Sequence, residues 1–210
     1  MINSEYLNNL NNAQKKAVLH LDGPLLIVAG AGSGKTRVLT SRIAHIIEQK
    51  KAFPNQILAV TFTNKASQEM QNRVSALLKK SSTGLPWLGT FHSISAKLLR
   101  KHAPAVGLRS NFSIVDQDDQ VRLIKNICKA ENIDIKKISP NYILAVIDKW
   151  KNKGWYPADV ILKKSENLEK GFLKIYQIYQ KKLLDLNACD FSDLILHCVK
   201  IFETNQDICQ

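Results

Sequence analysis

An apolar run, Leu25-Leu26-Ile27-Val28, leads straight into Ala29-Gly30-Ala31-Gly32-Ser33-Gly34-Lys35-Thr36, and a helix-compatible stretch begins near Lys35. A strand, a glycine-rich turn and a helix in that order confine this part of the chain to an α/β layer. Glycines in such a turn let successive backbone N–H groups converge on an anion, and the following helix adds the positive end of its dipole. Lys35 supplies a point charge for the β and γ phosphates of a nucleotide, and the Thr36 hydroxyl suits Mg²⁺. One slot departs from the pattern G-x-x-x-x-G-K-[ST], because Ala29 stands where the first glycine is expected. A small side chain is tolerated there, and Gly32 and Gly34 remain nearest the phosphates. The expected loop set is therefore Ala29, Gly30, Ala31, Gly32, Ser33, Gly34, Lys35 and Thr36, with Arg37 next in the helix.

The chain has 210 residues, 45% of them hydrophobic, enough for one large or two small cores. Its formal net charge of +12 points to a polyanionic partner, and the excess is uneven. Residues 1–104 hold 14 Lys and Arg against 4 Asp and Glu, a balance of +10, whereas residues 105–210 hold 16 against 14, or +2. No apolar stretch approaches the roughly 20 residues of a membrane span, and Met1-Ile2-Asn3-Ser4-Glu5 lacks the charged-then-apolar order of a secretion signal. A cytoplasmic chain without a membrane partner is expected. Cys128, Cys189, Cys198 and Cys209 form no C-x-x-C pair, so reduced structural thiols are expected as well.

The first half alternates strand and helix, as a parallel sheet requires. After the loop, Thr36 to Gln49 reads as a helix and Ile57-Leu58-Ala59-Val60-Thr61 as a buried strand. Thr63 or Asn64 can cap a helix through Met70, Val74, Leu77 and Leu78, Trp87 to Thr90 is a short strand, and Ser93 to Lys101 a helix. From about Pro104 the pattern turns helical, with Phe112-Ser113-Ile114-Val115 as one possible short strand. Asp116, Ser139-Pro140 and Asp190 or Ser192 are helix starts. The expected organisation is a phosphate-loop parallel sheet over residues 1–104, followed by an all-α unit over 105–210.

Two further segments sit where α/β sheets place ligand contacts, at the carboxyl ends of strands. Thr61-Phe62-Thr63-Asn64-Lys65-Ala66 offers an aromatic between hydroxyls, with Phe62 able to stack on a base and Thr63 and Asn64 able to bond a phosphate. Filling the core is the alternative for Phe62. Gly89-Thr90-Phe91-His92-Ser93 repeats the chemistry, so Thr90, Phe91 and His92 join the candidates; His92 has no acid–base role assigned. Upstream, Leu10-Asn11-Asn12-Ala13-Gln14 presents Gln14, whose amide donor and acceptor suit an adenine edge.

In this order and spacing the segments resemble the superfamily 1 DNA helicases of the UvrD/Rep/PcrA type. Residues 10–14 are similar to their adenine-reading Q motif, 29–36 to motif I with alanine in its first slot, 61–66 to motif Ia and 89–93 to motif Ib. Asp190-Phe191-Ser192-Asp193-Leu194-Ile195 resembles the D-F-x-D-L segment that closes an inserted helical subdomain. The resemblance implies a RecA-like core, ATP with Mg²⁺ as cofactors, DNA unwinding in repair or replication, and single-stranded DNA or single–double-strand junctions as partners. It implies that Phe62, Thr63, Asn64 and His92 contact the single strand.

The sequence also departs from that family's pattern. The resemblance implies a further strand ending in Asp-Glu, whose carboxylates hold Mg²⁺ and orient the attacking water, and no Asp-Glu dipeptide occurs here. The arginines of a second, C-terminal motor domain, which stabilise charge on the γ phosphate, have no counterpart either. ATP binding without strand separation is the expectation for these 210 residues. A non-catalytic nucleotide- or DNA-binding module and a small phosphate-loop kinase, with Asp116 as its acidic strand end, are the alternatives.

Overall fold

The computed structural model describes residues 5–78, 84–133, 138–162 and 169–208. The chain divides into two compact units, Met1–Ile94 and Ser95–Gln210, ten residues before the division that the loss of strand–helix alternation suggested.

The first unit contains α1 (Glu5–Asn8), α2 (Asn12–Leu19), α3 (Lys35–Glu48), β1 (Ala59–Thr61), α4 (Asn64–Leu77) and β2 (Leu88–Thr90), and it ends within α5 (Phe91–His102). β1 and β2 pair in parallel, with Ala59 opposite Leu88 and Thr61 opposite Thr90. Parallel neighbours need a crossover, and α4 supplies it. Thr63 starts α4 by accepting the Ala66 N–H at 3.1 Å. Met70 and Val74 of α4 then close over Ile43, Ala59 and Leu88, while Tyr6, Leu10, Val18 and Val38 form a second cluster. In β2, a Cβ on Gly89 would stand 2.6 Å from Ser93 Oγ and 3.1 Å from Ile94 Cδ1, so only glycine lets α5 turn back this closely.

The apolar run Leu25–Val28 corrects one expectation, because it joins no sheet, and Leu26 and Val28 are each 86% exposed. A strand exists only with a neighbour's backbone, and the described residues pair nothing with it. Among them the parallel sheet is two strands, not the larger one that the alternation implied.

The second unit adds β3 (Ser113–Ile114), α6 (Gln117–Ala130), α7 (Pro140–Asn152), α8 (Pro157–Leu162), α9 (Glu169–Asp185), β4 (Ala188–Cys189) and α10 (Phe191–Thr204). It is not all-α, since β3 and β4 pair in parallel, with Ser113 opposite Ala188. Asp116 accepts the Asp119 N–H at 2.9 Å and caps α6, which is the ordinary role of an aspartate at a helix start. Ile124, Ile127, Ile143, Ile147, Ile175 and Tyr179 are fully or nearly fully buried in the larger core, as their helical spacing predicts. Cys128, Cys189 and Cys198 are free and buried; Cys209 lies outside the described residues.

A charged cluster is sealed inside this unit. The Lys151 ammonium, on the last turn of α7, stands 2.6 Å from Asp190 Oδ2 and 2.8 Å from Asp193 Oδ1, with none of the three side chains more than 2% exposed. Tyr179 donates to Asp190 Oδ2 at 2.9 Å and Gln180 to Asp193 Oδ1 at 2.9 Å. The two aspartates also cap α10 reciprocally: Asp190 Oδ1 accepts the Asp193 N–H, and Asp193 Oδ2 accepts the Asp190 N–H. Burial opposes each charge, yet Asp193 and Asp190 together hold the lysine pKa above its ordinary value, and Lys151 in turn holds Asp193 below its own.

His197 lies next to this cluster, its Nδ1 2.6 Å from the Tyr156 hydroxyl. Burial holds the imidazole below its ordinary value of 6.5, and Asp193 offsets that only in part. The unfolded chain therefore protonates this ring at higher pH than the folded one. The resulting stability is complete above 6.5 and is lost as pH falls towards the folded value. Between about pH 7 and pH 5, the denaturant midpoint of His197→Gln should fall less steeply than that of the wild type; parallel slopes would contradict this.

Candidate functional site

α2, α4, α6, α7 and α10 each begin on a side-chain cap, from Asn11, Thr63, Asp116, Ser139 and Asp190. α3 begins differently. Its N-cap is Gly34, in the left-handed region at φ 85°, with no side-chain hydrogen bond. The first intrahelical bond runs from the Val38 N–H to the Gly34 carbonyl, so the N–H groups of the opening turn have no helical acceptor and point at whatever sits in the preceding loop.

The loop wraps around its own lysine. Lys35 Nζ donates to the Ala29 carbonyl at 2.8 Å and the Gly30 carbonyl at 2.6 Å, and Ser33 Oγ donates to Gly30 at 2.7 Å. Gly32, at φ 73°, makes the reversal that brings these groups together. Lys35 and Thr36 are exposed at the start of α3, with the Thr36 hydroxyl one residue beyond the ammonium. Arg37 lines a cavity of about 590 Å³ with Tyr6, Asn9, Thr40, Ser41 and Arg73.

Gln14 reaches the same loop from α2. Its Nε2 donates to the Ser33 carbonyl at 3.0 Å, while its Oε1 accepts the Asn11 N–H at 3.0 Å. In the sequence Gln14 is an amide upstream of the loop that suits an adenine edge; its bond to Ser33, nineteen residues away, has no sequence signal.

The β1–β2 register decides the second surface. Because Thr61 lies opposite Thr90, the residues that follow, Phe62 and Phe91, emerge side by side. Their ring centroids are 5.8 Å apart at 45°. Phe62 is 91% exposed and Phe91 44%, so core filling does not account for Phe62. Thr63 and Thr90 are partly committed, since their hydroxyls accept the Ala66 and Ser93 N–H groups. Asn64 and His92 are exposed beside the aromatic pair.

The basic-aromatic stretch Trp150, Lys151, Lys153, Trp155 and Tyr156 is a packed helix end. Trp150 stacks on Tyr176 at 5.8 Å, Lys151 is the buried cation described above, and Lys153 covers the Trp155 ring at 4.5 Å.

These features define a mixed α/β protein with a phosphate-loop sequence at an uncapped helix start and an exposed aromatic pair at two parallel strand ends. The chain belongs to the UvrD/REP helicase N-terminal domain family, which matches residues 10–210. It is 46% identical over 211 residues to a probable DNA helicase II homolog of Rickettsia conorii, covering 99% of this chain and 32% of that protein. It is 44% identical over 206 residues to a probable DNA helicase II homolog of Mycoplasma capricolum, covering 96% and 28%. With the ATP-dependent DNA helicase PcrA of Staphylococcus aureus the identity is 43% over 197 residues, covering 94% and 27%. The chain thus spans about a third of the length of these relatives.

Among the described residues no helix is long and apolar enough to cross a membrane, and no group of three or more His, Cys, Asp and Glu side chains is arranged to hold a metal.

Proposed function

We propose that this chain is the ATP- and single-stranded-DNA-binding N-terminal part of an ATP-dependent DNA helicase. The observation that carries the reading is the α3 start, where a helix opening without a side-chain cap, two left-handed glycines and the Lys35 ammonium fall together within residues 32–35. A triphosphate tail matches all three at once, as backbone donors, dipole and point charge act on the same oxygens.

Mg²⁺ fits what is present. It takes one or two protein ligands together with phosphate oxygens and water, and the exposed Thr36 hydroxyl is such a ligand. When bound, the ion neutralises charge shared between the β and γ phosphates. Without an Asp-Glu pair in the sequence, nothing here orients an attacking water, so we infer binding with little turnover and no unwinding by these residues.

Single-stranded DNA is read through the exposed aromatic pair and the basic first half of the chain. Phe62→Ala should weaken binding of a fluorescein-labelled oligo-dT by about 5- to 150-fold, from ~1–3 kcal/mol per stacked base. Thermal stability should hold, because the ring contributes almost nothing to the core. Anisotropy titration at fixed low salt measures it; unchanged affinity would remove Phe62 from the DNA path.

A further inference from the structure

We propose that a cleft in the second unit receives an arginine side chain from a partner polypeptide. The cleft, of about 410 Å³, lies where the start of α6, the middle of α7 and the start of α10 meet. Its polar lining is Gln117, Gln120, Asn141, Asp148 and Ser192, and its aromatic wall is Phe191, which is 51% exposed. Among the described residues no lysine or arginine lines it.

Gln120 is the residue that points to a ligand. It is 8% exposed, and among the described residues its side-chain amide has no hydrogen-bond partner. Burying an amide without a partner costs free energy, so such groups are ordinarily paired. Its polar atoms are not sealed off, since among the described residues only Gln180 Oε1 is both sealed and unpartnered. The amide therefore opens onto the cleft that it lines.

Charge then selects the ligand. Asp148 is the one carboxylate in the lining, and Ser192 Oγ donates to its Oδ1 at 3.0 Å, which leaves the other oxygen as an acceptor. Asp116 is taken up as the α6 cap, and Asp119 faces Arg122 at 3.5 Å, so neither competes with Asp148. The adjoining helix starts, of α6 and α10, already carry aspartate caps, which disfavours a phosphate there. A guanidinium satisfies the whole lining. It is planar, bonds a carboxylate and amide oxygens through five N–H donors, and stacks on an aromatic face. A lysine ammonium is a point charge without that fork. Gln117 and Asn141 are exposed at the rim, where their amides suit the peptide backbone on either side of the arginine.

The experiment is a heteronuclear NMR titration of the 210-residue chain with acetyl-Gly-Arg-Gly-amide and with its citrulline counterpart, which keeps the shape and lacks the charge. Saturable shifts at Gln117, Gln120, Asp148 and Phe191 are expected with arginine, and binding about tenfold weaker with citrulline. Gln120→Leu and Asp148→Asn should each weaken the arginine peptide by about five- to tenfold. The unfolding midpoint of Gln120→Leu should not fall, because no hydrogen bond is broken. Equal affinity for arginine and citrulline, or shifts that never saturate, would overturn the proposal. Guanosine moving the same resonances at lower concentration would overturn it in favour of a nucleobase. Shifts at the cleft that follow protein concentration without any peptide would overturn it in favour of a second copy of this chain.

Discussion

Lys151→Ala should destabilise the unit formed by residues 95–210 by about 3–5 kcal/mol, the cost of removing one partner from a sealed ionic cluster. The loss is large because the two carboxylates left behind are at most 2% exposed and water cannot reach them. Tyr179 and Gln180 each supply one hydrogen bond, which does not neutralise a charge. Against a typical domain stability of 5–15 kcal/mol this is a substantial fraction. Replacing all three groups, Lys151→Met with Asp190→Asn and Asp193→Asn, should recover much of it, since apolar or neutral occupants avoid the desolvation of ions. Urea unfolding followed by circular dichroism measures both variants. A loss below about 1 kcal/mol for Lys151→Ala would mean the cluster behaves as an exposed pair.

Lys35→Ala should weaken ATP binding by about 10- to 150-fold, the ~1.5–3 kcal/mol of a hydrogen bond to a charged group. The fold should be indifferent to it, because the ammonium is exposed and contacts only carbonyls of its own loop. Loss of binding with an unchanged unfolding midpoint is therefore the expected pair of results. A destabilised variant would show that the lysine holds the loop shut as a structural element.

Helices were the legible part of this fold because their signals are local. Thr63, Asp116, Ser139 and Asp190 cap the helices they announce, and Ile143, Ile147 and Trp150 bury the face that their spacing draws. Strands are pairwise, and spacing says nothing about a partner. Hence Leu25–Val28 reads as a strand and pairs with nothing described, while Ser113–Ile114 finds Ala188–Cys189 more than seventy residues away. The glycine-rich loop was legible as a sequence motif; its bond to Gln14 was not, because it depends on how α2 lies on α3. In the sequence Lys151 is one lysine of a basic-aromatic helix end, and nothing local signals that Asp190 and Asp193, about forty residues on, fold against it. Asp190 was one of two residues that could open α10, and neither its reciprocal cap with Asp193 nor the buried lysine was signalled. Phe62 could have filled a core or faced solvent, and the parallel register settled it by placing the ring beside Phe91.

The central claim is that the opening turn of α3 and its glycine loop hold a nucleoside triphosphate. Titrating the 210-residue chain calorimetrically with ATP in the presence of Mg²⁺ tests it most directly. One saturable site, displaced by tripolyphosphate and weakened when EDTA removes the metal, is the predicted result. Heats that never saturate, or a site that tripolyphosphate leaves occupied, would contradict it.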